Sequence, residues 1–350
     1  MPGIDAYFEE LRDSLSHKRR FRPGEDSFLP WRAATRARLA ELLRLPPGPR
    51  LLDVREEPAE SVEVRGSRHR RQRVLLRTER ELWVPAYLLL PPDADGPLPV
   101  TICCQGHAKD AMRLSVGLIS DETWEDLVVS GDRDFALQAI RRGHAGLALE
   151  VRSFGELRST EDAAGDSVCS CLRHTLLALQ AGRTLMGMRV HDVMAAVDYL
   201  EGRAEVDPAR IAMTGNSGGG SLTLYSAALD ERIAASIPSC AFCTYRDSLQ
   251  AVDHCACNFI PDMCTEIEMD DLAGLCAPRP QLIISGDSDP IFPLSGVHEA
   301  FERLRGIYAA AGAADKLHLH VGNGGHRYYA EPVAEFLEKA FSMTGTPAGA

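Results

Sequence analysis

Arg210-Ile211-Ala212-Met213-Thr214-Gly215-Asn216-Ser217-Gly218-Gly219-Gly220-Ser221-Leu222-Thr223-Leu224-Tyr225 is the stretch whose reading decides the fold. An apolar run from Ile211 to Met213 meets a serine flanked by glycines, and a small-residue helical pattern follows at once. The order is strand, sharp turn, helix. A serine on such a turn needs a strained backbone, and bulky neighbours would clash with the adjoining strand and helix. Gly215 and Gly219, two residues to either side, remove those clashes, so the hydroxyl of Ser217 can stand above a sheet as a nucleophile. The amide of Gly218, first in the helix, then points to where an oxyanion would form. The competing interpretation is an ordinary Gly/Ser-rich turn.

Outward from this turn, strands and helices alternate. Leu98 to Cys104 is a near-continuous apolar strand, as expected where helices cover both sheet faces, and it ends in Gln105-Gly106-His107. Helix Phe135–Arg142, strand Ala145–Glu150, helical stretches Val168–Met186 and Met188–Glu201, and strand Ile233–Ile237 surround the serine turn. Strand Gln281–Ser285, helix Val297–Tyr308 and strand Lys316–Val321 close the pattern. Ser61–Arg65, Arg73–Thr78 and Leu82–Leu90 form an antiparallel entry, with the arginine-rich Arg65–Arg73 as a solvated hairpin tip. The expected architecture is α/β, a mostly parallel central sheet with helices on both faces. Residues 1–60 are expected to form a helical extension, residues 61–342 the catalytic domain, and 239–277 a cap-like insertion. Two helices, residues 1–20 and Trp31–Leu45, make the extension a candidate cover for the site or contact for a homo-oligomer.

A serine hydroxyl needs a base, and the base needs an acid that holds its tautomer. On a sheet of this kind the acid follows a later strand and the histidine follows the last. Gly286-Asp287-Ser288-Asp289-Pro290 follows one strand, and Gly322-Asn323-Gly324-Gly325-His326 follows the other. Asp287 and Asp289 compete for the acid. Asp289 is favoured by the usual spacing after the strand, Asp287 being suited to shaping the turn. His326 is the expected base. His318 and His320 lie within a strand, and His107, His191, His254 and His298 do not follow the last one. The loop Gln105-Gly106-His107 is expected to supply the second oxyanion donor, the amide of His107.

The chain has 350 residues, 45% of them hydrophobic, with a formal charge of −12 and 10 cysteines. That acidity argues against a nucleic-acid or anionic-membrane binder. There is no run of eighteen apolar residues to span a bilayer, and the charged start has no apolar secretion core, so a cytoplasmic protein is expected. The cysteines are too dilute for a disulfide scaffold and read as buried small hydrophobes. Cys240-x-x-Cys243, His254-Cys255-Ala256-Cys257 and Cys264 could hold zinc by ligand type. Their spacing is not a pair of knuckles, and Cys255 and Cys257 would point to opposite sides of an extended chain, so no metal and no cofactor are expected.

Taken together, residues 60 to 342 resemble an α/β-hydrolase, and within it the acetyl xylan esterase and cephalosporin deacetylase branch with its dienelactone-hydrolase-like relatives. The resemblance rests on Val84-Pro85-Ala86-Tyr87-Leu88, on Gly215 to Gly220 with Ala228-Leu229-Asp230-Glu231-Arg232-Ile233, on Ala277-Pro278-Arg279-Pro280, and on Gly286 to Pro293. It implies Ser217, Asp289 and His326 as a triad, with the amides of His107 and Gly218 as the oxyanion hole. The chain departs from the branch at Gln105-Gly106-His107, where a His-Gly-Tyr run is usual, and at Glu150-Val151-Arg152-Ser153, where many members have Asp-x-Arg-Gly. The expected activity is hydrolysis of a short-acyl carboxylic ester, on a carbohydrate or small metabolite, through an acyl-enzyme. The alternatives are the same residues acting on an amide, peptide or carbon–carbon bond, and a non-catalytic binding protein of the same fold.

Overall fold

The computed structural model describes residues 3–93, 96–119 and 131–344. One sheet holds β1 (Asp53–Glu56), β2 (Glu60–Val64), β3 (Ser67–Glu79), β4 (Leu82–Leu90), β5 (Leu98–Cys104), β6 (Ala145–Leu149), β7 (Val206–Asn216), β8 (Ile233–Ser239), β9 (Gln281–Gly286) and β10 (Leu317–Gly322). Its order is β1-β3-β4-β6-β5-β7-β8-β9-β10, with β2 also paired to β3. From β6 to β10 all neighbours are parallel, while β1 to β4 join antiparallel. Every residue of β6 and β9 is buried, which explains why these strands read as apolar runs rather than alternating ones.

The chain changes direction across the sheet at β5. The next strand, β6, lies on one side of it and β7 on the other, so the loops after β5 and β7 diverge and leave a crevice at their carboxyl ends. Helices Leu185–Glu201 and Gly218–Leu229 pack on each other and on β7, and Phe135–Arg141 and Val333–Thr344 form a second group against the sheet. No described helix is long and apolar enough to cross a membrane.

Three local readings need correction. Asp53–Glu56, inside the stretch read as a helical extension, is an edge strand that pairs with β3 through Asp53↔Arg77 to Glu56↔Val74. Its four residues are too short and too polar to signal a strand, and only the partner strand makes it one. The expected helix Val168–Met186 is two pieces. Cys171–Gln180 ends before Gly182, whose φ is +72°, and Thr184 then caps the helix Leu185–Glu201 by accepting from the Gly187 amide at 3.0 Å. The hairpin tip is only Arg65-Gly66, with φ of 48° and 72°, and the remaining arginines run along β3. There Arg71 pairs with Glu60 at 2.7 Å and Arg73 with Glu156 at 2.6 Å.

The N-terminal segment is stitched to the body. The Phe21 amide donates to Asp271 at 2.9 Å, and Arg20 lies 3.4 Å from Asp270. Arg32 and Arg36 both donate to the carbonyl of Leu275 at 3.1 Å. Helix Phe28–Leu43 buries Leu39, Leu42 and Leu43, whereas Ile4–Asp13 leaves Ile4, Tyr7, Phe8 and Leu11 exposed.

A buried charge network anchors the entry hairpin to helix Leu185–Glu201. Arg152 donates to Asp192 through Nε at 2.5 Å and Nη2 at 2.7 Å, and Thr78 donates to the same carboxylate at 2.6 Å. Arg152 also reaches Glu79 at 2.5 Å. Removing Asp192 would leave the buried Arg152 only the part-exposed Glu79, which Arg183 shares, so Asp192→Ala is expected to cost about 3 kcal/mol of unfolding free energy, the lower end for breaking a buried pair. Urea unfolding of the two proteins measures this, and a loss below about 1 kcal/mol, the size of an exposed pair, would contradict it.

Candidate active site

The strand–turn–helix around Ser217 is built on backbone contact. Ser217 has φ 56° and ψ −120°, a conformation costing on the order of 1–3 kcal/mol for a residue with a side chain. It survives because both flanks are locked. A Cβ on Gly219 would lie 2.1 Å from the Cys104 carbonyl oxygen, and one on Gly215 would lie 2.4 Å from Gly219 and 2.7 Å from Cys104. Helix Gly218–Leu229 therefore starts directly against the end of β5. The same closeness brings in the loop after β5, where a Cβ on Gly106 would stand 2.9 Å from the Asn216 carbonyl and 3.0 Å from the Ser217 Cβ. Gln105 holds that loop from behind, donating to Ser115 at 2.8 Å and to the Arg133 carbonyl at 2.6 Å. The His107 ring lies across the helix start, its Cε1 3.1 Å from a Cβ placed on Gly218. Among the described residues neither the His107 nor the Gly218 amide has an acceptor.

The two loops that follow β9 and β10 meet because those strands are paired in register from Leu317↔Gln281 to Gly322↔Gly286. His326 Nδ1 lies 2.8 Å from Asp289 Oδ2. The other carboxylate oxygen, Oδ1, accepts from the Ile291 amide at 2.8 Å and the Phe292 amide at 3.1 Å. Burial alone would raise this carboxyl, but the His326 hydrogen bond and the two amides outweigh it and hold Asp289 below the usual aspartate range. An ionised carboxylate only accepts, so Nδ1 carries a proton, and in the neutral ring the lone pair sits on Nε2, which is buried and without a partner among the described residues. The ring of Phe292 stacks on His326 at 5.9 Å and fixes its plane. Asp287 has a different job. It is exposed and accepts from the Gly324 amide at 3.0 Å, tying down the loop that carries the histidine.

Ser217 and this pair share a neighbour. The Ser217 amide donates to the Ser239 carbonyl at 2.9 Å, and the thiol of the next residue, Cys240, lies within 4.8 Å of the nearest Asp289 and His326 ligand atoms. Burial first, and then the Asp289 carboxylate, push the Cys240 thiol up to about 12, so it stays protonated beside the histidine. Ser217 and His326 are both half-buried, and Asp289 is buried. The arrangement holds a hydroxyl on a strained turn, an oriented imidazole, and two backbone amides without an acceptor, and among the described residues no hydrogen bond joins Ser217 to His326. Such groups can attack a carbonyl and hold the resulting oxyanion.

Sequence reasoning did not single out Phe292, Cys169 or Cys171, and it placed neither Cys240 beside the Asp289–His326 pair nor Cys255 and Cys257 beside His107. Cys255 and Cys257 do not diverge as on an extended chain. Cys255 leads into the 3-10 turn Ala256–Asn258, which folds its Sγ to 3.3 Å from that of Cys257. The Cys257 Sγ is 3.5 Å from His107 Nε2. Cys169 and Cys171, nearly ninety positions earlier in the chain, complete the group, and nothing local in the sequence links the two pairs.

A family model described as acetyl xylan esterase (AXE1) matches residues 129–256. YtaP of Bacillus subtilis (strain 168), provisionally named a hydrolase, is 27% identical over 245 residues, covering 69% of this chain and 77% of that protein. A Bacteroides fragilis NCTC 9343 structure, provisionally described as an acetyl xylan esterase, superposes with a TM-score of 0.81 at 15% identity, covering 97% of this chain and 95% of that one. A glucuronoyl esterase from Solibacter usitatus superposes with a TM-score of 0.67 at 14% identity, covering 93% and 94%. At these identities the structural likeness is one of fold.

Two measurements probe the site's construction. Gly219→Ala drives a Cβ into the Cys104 carbonyl and is expected to cost at least about 3 kcal/mol, the upper end for overpacking. Gly24→Ala has φ +85° with open space around it and should cost about 1–2 kcal/mol for the left-handed backbone alone. Equal losses would refute the close approach. Because the folded-state pKa of Asp289 is depressed, its contribution to stability is present above the unfolded aspartate value and lost as pH falls through the folded one. Native protein should therefore show a steeper acid loss of stability than Asp289→Asn. Parallel urea midpoints from neutral pH downward would rule this out.

Proposed function

We propose, from the premise that the chain is a member of the α/β-hydrolase superfamily and a carboxylic ester hydrolase, that it removes a short acyl group such as acetyl from a carbohydrate ester. Ser217 is the nucleophile, His326 the general base and Asp289 the group that orients it. The observation that carries the reading is the unpartnered Nε2 of His326, held in one tautomer by Asp289 at 2.8 Å.

In this mechanism Nε2 takes the Ser217 proton as Oγ attacks the ester carbonyl. The anion that forms is met by the amides of Gly218 and His107, each contributing on the order of 3 kcal/mol to the transition state. The protonated histidine delivers its proton to the departing alkoxide, which leaves an acyl-serine. Water then attacks, deprotonated by the same nitrogen, and the acid departs as Ser217 regains its proton. The segment 239–277 flanks this crevice through Cys257 at His107 and through Cys240 at the acid–base pair. That position suits a cap that limits the size of the acyl or alcohol group.

The relatives favour two ester classes, acetyl esters and glucuronoyl esters, which differ in the acyl part. The deciding experiment is intact mass after incubation with a fluorophosphonate, on native protein and on Ser217→Ala, beside turnover of p-nitrophenyl acetate and of a methyl glucuronate. One adduct on native protein, none on the variant, and a fall in acetate turnover of at least about 1,000-fold are expected. No adduct on folded native protein would remove the serine mechanism. Turnover of the glucuronate alone would move the substrate to the second class.

A further inference from the structure

Beside the oxyanion loop lies a group of metal-binding side chains from three separate parts of the chain. His107, Cys169, Cys171 and Cys255 each place one ligand atom within 4.8 Å of all the others. His107 follows β5, Cys169 and Cys171 flank the start of helix Cys171–Gln180, and Cys255 enters the turn Ala256–Asn258. The nitrogen of His107 turned toward the sulfurs is Nε2, 3.5 Å from the Cys257 thiol.

A second observation concerns charge. Arg189 is buried, and its guanidinium donates to the Arg152 carbonyl at 3.0 and 2.8 Å and to the Cys171 sulfur at 3.2 Å. Among the described residues no carboxylate pairs with it, and its Nη1 lacks a partner. A buried guanidinium cannot shed its proton and requires a compensating negative charge. The guanidinium lies over the Phe154 ring, 4.6 Å from its centroid, and the Cys171 sulfur is the group it touches that can carry a full negative charge. A neutral thiol carries none.

We propose that Cys169, Cys171, Cys255 and His107 bind one thiophilic divalent cation of the zinc class, with Arg189 as the counter-charge. Three thiolates, a neutral imidazole and a divalent ion carry one net negative charge, which the arginine balances. Each coordinating cysteine gives its proton to solvent on binding, and no electron moves. Metal–ligand bonds of about 2.3 Å to sulfur and 2.0–2.1 Å to nitrogen in a tetrahedron set ligand separations of about 3.4–3.8 Å. Closing the group from its present limit of 4.8 Å takes only side-chain adjustment. Cys257 stands behind the set, 3.3 Å from Cys255. The role is structural. The cation would clamp the loop carrying the His107 amide to helix Cys171–Gln180 and to the segment that follows β8. Nothing in this site depends on Ser217 being the nucleophile.

The test uses the full chain purified under reducing conditions with added zinc and then desalted. About one zinc per chain is expected, and cobalt exchange should give a sulfur-to-metal charge-transfer band with tetrahedral d–d absorption. Cys169→Ser with Cys171→Ser should bring the metal below about a tenth of an equivalent and lower the melting temperature, while Cys264→Ser and Ser217→Ala keep it. Native protein that retains under about a tenth of an equivalent and shows no cobalt–thiolate band overturns the site, whatever the variants do. So does a native mass lowered by disulfides among these cysteines. Full metal with no fluorophosphonate adduct would leave this site standing and remove the serine mechanism alone.

Discussion

The close approach of two backbones, at the end of β5 and the start of helix Gly218–Leu229, is the constraint from which the rest follows. Gly219 leaves no space for a Cβ against Cys104, and Gly215 leaves none against Gly219. Only with those atoms missing can the helix begin at the sheet's edge, and only then is Ser217 held at φ 56°. The same contact brings Gly106 up to Ser217. One packing restriction thus sets the posture of Ser217 and the position of the loop after β5 opposite it. The strain is local, and the surrounding parallel strands, buried on both faces, sustain it.

The pairing of Asp289 with His326 is assembled by a different device. β9 and β10 are paired in register, so the loops that carry Asp289 and His326, 37 positions apart along the chain, emerge side by side. Their two aspartates then divide the work. Asp287 accepts from the histidine loop's backbone, and Asp289 accepts from the imidazole. Against its burial, the His326 hydrogen bond and then the two amides on Oδ1 hold the Asp289 carboxyl below the usual aspartate range, and a carboxylate that only accepts fixes the imidazole tautomer. The geometry of the imidazole rests on hydrogen bonds that Asp289 accepts from elsewhere in the loop.

Around this centre the non-core segments are more integrated than an extension and an insertion need be. The N-terminal stretch is bonded through Phe21 and Arg20 to Asp271 and Asp270, both in the segment that follows β8. That segment reaches the site from its far end, through Cys257 at His107. A continuous path of contacts therefore joins the chain's start, the segment after β8 and the loop after β5. The five sulfur and imidazole groups lie where that path meets helix Cys171–Gln180.

Much of this was legible in the sequence. The glycine spacing about Ser217, the order of strands, and the aspartate and histidine after the last two parallel strands are local patterns, because turns and buried strands impose their residue types on the segment itself. Asp289 could be preferred to Asp287 by spacing, yet only the fold separates their tasks, since both are plausible turn residues. Asp53–Glu56 carries no strand signal of its own and is made a strand by its partner. The cysteines were the most misleading. An extended Cys255-Ala256-Cys257 would send its sulfurs apart, but the 3-10 turn brings them together, and Cys169 and Cys171 arrive from a distant segment. The sequence by itself determined the chemistry that is contiguous, because backbone conformation is chosen over a few residues. Tertiary structure alone decided which side chains meet across the crevice and which buried charge lies beside them, because those contacts depend on how separate segments pack.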